Sequence, residues 1–76
     1  MNQAILFNDD LTFDKEADAW RLTGMVSGQM VTIYFHSPQL KHQASIDTCT
    51  KYDLEEVTEL WLEENELEGE EIHLHI

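Results

Sequence analysis

The residues on either side of Ser27-Gly28 restrict this chain more than any other feature, because they pair sensibly in only one way. Gly tolerates positive φ, so a two-residue turn here follows the natural twist of two flanking strands. With Val26 set opposite Gln29, Gly24 meets Val31, Leu22 meets Ile33 and Trp20 meets Phe35. The other face then holds Met25 with Met30, Thr23 with Thr32, and Arg21 with Tyr34. A slip of one residue would set apolar against polar groups throughout, so burial and turn chemistry select the same register. The fold must therefore contain an antiparallel hairpin from Trp20 to Ser37 with one strongly apolar face, and something must cover that face.

The remaining segments supply candidates for the cover. Gln3 to Phe7 reads as a first strand closed by Asn8-Asp9-Asp10, whose short polar side chains favour turns. Leu11 to Phe13 reads as a short extended piece, and Asp14 to Asp18 as an exposed turn. Pro38 ends the hairpin by removing a ladder donor, and Gln39 to Lys51 is ambiguous between short helix and loop. Asp53 is positioned to cap a helix, with Glu56 completing a capping box and Tyr52 and Val57 at staple positions. Leu54, Val57, Leu60 and Trp61 recur at helical spacing, which predicts a helix from Leu54 to about Glu66 lying on the sheet. Gly69 reads as its terminator, and the alternation from Glu71 to Ile76 as a closing strand.

These elements make one α+β domain spanning residues 1–76: a small antiparallel sheet built on the central hairpin, one main C-terminal helix on one face, and a short terminal strand. A chain of 76 residues has too little interior to divide between two cores. The expected core is Ile5, Phe7, Trp20, Leu22, Val31, Ile33, Phe35, Val57, Leu60, Trp61, Ile72 and Leu74.

Charge is distributed very unevenly over this framework. From Tyr52 onward there are ten carboxylates and no Lys or Arg, whereas the preceding residues set six acids against Lys15, Arg21, Lys41 and Lys51. The net charge of -12 opposes direct contact with nucleic-acid phosphates or acidic membranes, which are bound by clustered cations. Charged residues interrupt every window long enough to span a bilayer, and the apolar run Ala4 to Phe7 is too short for a signal segment. Cys49 stands alone, as expected in a reducing compartment, and the chain is read as cytoplasmic.

Three constellations carry chemistry. The first is the acidic helix, Glu55, Glu56, Glu59, Glu63, Glu64 and Glu66, where four-residue repeats of like charge cost stability and Glu63, Glu64 and Glu66 oppose the helix dipole. A basic protein partner would relieve that strain, while the plainer alternative is a solvated face that keeps a small protein soluble. The second is His73 and His75, which project from the same side of the terminal strand and would need a third ligand such as His36, His42 or Glu71 to hold a metal ion. The third is the semi-apolar patch Arg21, Met25, Met30 and Tyr34, either covered by another part of the chain or free for homodimerisation or another protein. Cys49 has His42 near it in sequence, but no third orienting group or electropositive setting can be read, and no phosphate loop, nucleophile elbow or HExxH helix is present. No cofactor and no enzymatic activity are expected.

Met1 to Phe7, with Trp20 to Val26, Gly28 and Val31 to Ser37, resembles the opening strands and hairpin of the small bacterial proteins grouped as domain of unknown function 1488. Tyr52 to Val57 with Glu59 resembles the start of that family's C-terminal helix, and the acidic tail running into a short strand is similar too. Gln39 to Lys51 departs from the pattern, being shorter and less helical. The resemblance implies a compact α+β domain of the bacterial cytoplasm and brings no activity, cofactor or site residue with it. The residues themselves point to a non-catalytic interaction module using the acidic helix, with metal binding at the His pair as the alternative.

Overall fold

A computed structural model describes residues 4–76. Its elements are β1 (Ile5–Phe7), β2 (Thr12–Asp14), β3 (Ala19–Val26), β4 (Gln29–His36), a 3-10 turn (Leu40–His42), α1 (Thr48–Glu64) and β5 (Glu71–His75). The α+β class is as expected from the sequence. Gln3, expected to open the first strand, lies outside the described residues.

The hairpin has the register required by its apolar pattern, Trp20 opposite Phe35 through Val26 opposite Gln29. Ser27 and Gly28 both take positive φ, 51° and 81°, which is the pair of left-handed residues that a twist-matching two-residue turn needs. Both β1 and β2 run antiparallel along the free edge of β3, so they act as two halves of one interrupted edge strand. The break between them is closed by side chains. Asp10 accepts from the backbone N–H of Thr23 at 3.0 Å and from the Thr23 hydroxyl, while the Asn8 side-chain amide donates to Thr23 Oγ1 at 2.8 Å. These polar residues thus satisfy a stretch of β3 that has no strand beside it.

The terminal strand β5 pairs with β4 in parallel, with Tyr34 opposite His73 and His36 opposite His75, so the sheet is mixed. Its direction follows from the connection: a parallel neighbour needs a crossover of a dozen or more residues, and the segment containing α1 provides one. Strand order is β1-β3-β4-β5, with β2 also on β3.

One sheet face meets α1 and forms the core: Leu22, Val31, Ile33, Phe35 and Ile72 are essentially inaccessible, joined by Ile5, Trp20, Val26 and Leu74. From the helix come Leu54 and Leu62, with Val57 and Trp61 half-buried at the flanks. Two expectations about the helix need correction. It starts at Thr48 rather than Leu54, capped by Asp47, whose carboxylate accepts from Thr50 N–H at 2.7 Å, so Asp53 is an interior residue. It ends at Glu64 with Asn65 as its cap, so Gly69 (φ 82°) shapes the loop into β5 rather than the helix end.

The helix is also rotated relative to the expected stripe. Its inward row is Leu54, Thr58 and Leu62, and Leu60 is 53% exposed. Burial of Thr58 is tolerated because its hydroxyl donates to the Leu54 carbonyl at 2.9 Å, leaving its methyl to pack inward with no unpaired polar group. Among the other expected core residues, Phe7 is only partly buried.

Candidate functional site

The helix rotation decides which acids are displayed together. Tyr52, Glu56, Glu59 and Glu63 follow one another at spacings of four, three and four, with Leu60 four residues after Glu56, which places all five on one side of α1, opposite Leu54, Thr58 and Leu62. All five are exposed, Tyr52 at 61% and Leu60 at 53%. Glu64 flanks this row. Glu55 is half-buried toward the other side, and Glu66 lies beyond the helix, so neither belongs to the row.

Two of the four cations are engaged elsewhere: Lys41 pairs with Asp18 at 2.7 Å, joining the 3-10 turn to the β2–β3 turn, and Lys51 pairs with Asp9 at 2.8 Å, joining α1 to the β1–β2 loop. The Asp9 hydrogen bond raises the Lys51 ammonium above its ordinary value, and the same bond lowers Asp9. Because the helix starts earlier than expected, Lys51 is itself helical, and the charge of Glu55 four residues on helps to raise it. The expectation that no cation sits on the helix is therefore corrected for Glu55. Arg21 belongs to the opposite face of the sheet, where its Nε finds no acceptor among the described residues. The last turn of α1 contains no basic residue, and Glu56, Glu59 and Glu63 form no ion pair among the described residues.

Beside this row, between the C-terminal half of α1 and the edge strand β5, lies a shallow groove of about 310 Å³ whose apolar lining includes Val57, Leu60, Trp61, Leu74 and Ile76, with Glu64 among its lining residues. Ile76 is 48% exposed.

The second candidate is on the outer face of the sheet, and its His73 and His75 also line the rim of this groove. His73 and His75 share one face of β5, as the alternation required, and pairing in register brings His36 of β4 alongside them. The three rings form a stacked group: His36 lies 4.5 Å from His75 and 5.1 Å from His73 between ring centres, with Tyr34 stacked on His73 at 4.8 Å. His36 Nε2 and His73 Nδ1 are 2.9 Å apart, and His73 Nε2 lies 3.2 Å from Glu71 Oε1. An ionised carboxylate only accepts, so His73 Nε2–H donates to Glu71, and with each ring carrying one proton His73 Nδ1 accepts from His36 Nε2–H. Removal from water lowers His36 below the ordinary imidazole value, reinforced by His75 and His73 and opposed by Asp18. No three His, Cys, Asp or Glu side chains among the described residues stand as a finished metal cradle, and His42 is in the exposed 3-10 turn.

The Met25, Met30 and Tyr34 patch shares this outer face. Leu6 extends it, 76% exposed opposite Met25, and Met30 is 52% exposed. Cys49 is an exposed thiol in the first turn of α1. No helix among the described residues is long and apolar enough to cross a membrane.

No family model matches this chain, and no curated protein does. Among solved structures, it is similar to a protein of unknown function from the DUF1488 family of Shewanella loihica PV-4, with a TM-score of 0.66 and 25% sequence identity over 100% of this chain and 94% of that one. The chain thus resembles that family in fold along its whole length, as the hairpin and helix motifs implied.

Proposed function

We propose that this protein is an interaction module that binds a basic segment of another protein along the outer side of α1. The observation that carries the reading is the row Glu56, Glu59 and Glu63: three carboxylates on a fixed helix face that form no ion pair among the described residues. Tyr52 and Leu60, exposed within the row, offer apolar contact between the charges. The groove beside it would receive an apolar side chain of the same partner. Complementary charge of this kind speeds encounter and rejects acidic competitors, and it makes binding sensitive to salt. A single unpaired cysteine supports an encounter in a reducing compartment such as the cytoplasm.

The test is capture from an extract of the source cells at low salt, using the native chain, a Glu56→Gln/Glu59→Gln/Glu63→Gln variant, and a Glu68→Gln/Glu70→Gln control in the loop. The proposal expects basic proteins that the native chain and the control retain, that elute as salt rises, and that the helix variant fails to hold. Equal retention by the helix variant would remove the row from the account.

A further inference from the structure

We propose that His36, His73 and His75 form a binding site for a divalent transition metal such as zinc, nickel or copper(II), with Glu71 positioning His73 from behind. Imidazole nitrogen suits these borderline ions, and a carboxylate that accepts from the far nitrogen of a ligating histidine fixes its tautomer and increases its basicity. That relation is already built here: Glu71 takes the Nε2–H of His73, which directs the bare Nδ1 at His36.

The distances favour an ion in place of the hydrogen bond between the two rings. A tetrahedral centre with bonds of about 2.0–2.1 Å holds its nitrogens about 3.3–3.4 Å apart. His36 Nε2 and His73 Nδ1, now 2.9 Å apart, must separate by about 0.4–0.5 Å to meet that spacing, and the two rings must tilt so that their lone pairs converge on the ion. His75 supplies the third nitrogen by rotating its ring, which is stacked on His36 and half open to solvent on the edge strand. The backbone fixes all three positions, since His36 pairs with His75 in the β4–β5 ladder and His73 is two residues away on the same face. A fourth coordination position stays open to water. On binding, the His36 proton moves from Nε2 to Nδ1 by exchange with solvent, so the ring stays neutral and its Nε2 lone pair is free for the metal.

Zinc chloride and nickel chloride added separately to the full chain at pH 7.5 provide the test, read by calorimetry and by imidazole nitrogen NMR. One ion per chain is expected at micromolar metal, with shifts at His36, His73 and His75 and none at His42. His36→Gln should weaken binding at least about tenfold and Glu71→Gln about 10–100-fold, whereas His42→Gln should leave it unchanged. These side chains lie on the uncovered face of the sheet, and the shifts in the unsubstituted protein stand even if a variant fails to fold. Absence of imidazole shifts at micromolar metal, unchanged affinity in His36→Gln, or binding lost instead in Glu56→Gln/Glu59→Gln/Glu63→Gln would each overturn the proposal.

Discussion

Reversing one charge at Glu63 should make this protein more stable, which few surface substitutions do. Glu63 lies in the last turn of α1, four residues after Glu59, with no basic residue in that turn. Glu63→Lys removes a like-charge pair and creates a Glu-then-Lys pair in the favourable order, each change contributing about 0.2–0.5 kcal/mol. It also replaces an anion by a cation at the negative end of the helix dipole, worth about 0.3–1 kcal/mol for each half of the exchange, and nearer the low end at an exposed position. Together these give about 1–1.5 kcal/mol at low salt, or a Tm rise of about 5–10 °C in a domain of this size. Glu63→Gln should deliver about half. Urea and thermal unfolding at about 20 mM and 1 M salt provide the assay, since the gain should shrink as the screening length falls to about 3 Å. A Glu63→Lys protein no more stable than the native one at low salt, or a gain that persists at 1 M, would refute the claim that the acid row forms no internal ion pair.

Other substitutions test the packing and the caps. Leu62→Ala, at a site 1% exposed, should cost about 2–5 kcal/mol in urea unfolding, while Leu60→Ser should stay within about 0.5 kcal/mol; the reverse order would mean the helix is rotated as the sequence stripe suggested. Gly24→Ala places a Cβ 3.0 Å from the Leu6 carbonyl oxygen and 3.0 Å from Ile5 Cδ1, so β1 must move, and a loss of about 1–3 kcal/mol is expected. The Asp47 carboxyl is held below its ordinary value chiefly by the Thr50 backbone N–H. Its folded-state pKa is therefore the lower one, so its contribution is complete above the ordinary Asp value of about 3.9 and is lost as pH falls through the native value. Asp47→Ala should accordingly lower Tm at pH 7 and flatten the acid limb of the stability profile, and an unchanged limb would contradict this.

The hairpin was legible because turn chemistry and face alternation, two independent local signals, demanded the same register. The helix was legible in existence but not in phase. Thr48, Cys49 and Thr50 have weak helix propensity, so the first turn fell in the stretch open between short helix and loop, although Asp47 ahead of it was a usable cap signal. Thr58 passed for a surface residue because its hydroxyl is satisfied within the helix, a compensation that polarity alone does not reveal. Of the six acids expected to act together, the longer helix gave Glu55 a neighbour in Lys51, and the earlier end left Glu66 outside. The arrival of His36 beside His73 and His75 depends on a long-range parallel pairing, which follows from the crossover rather than from any local pattern.

The account rests most heavily on the outward acid row of α1 as a docking surface, and the direct measurement is the affinity of a captured basic partner across a salt series. The native chain should lose at least about tenfold in affinity between about 50 and 500 mM salt, and Glu56→Gln/Glu59→Gln/Glu63→Gln should bind more weakly at low salt with a shallower dependence. Equal affinity and equal salt dependence for the two proteins would contradict it.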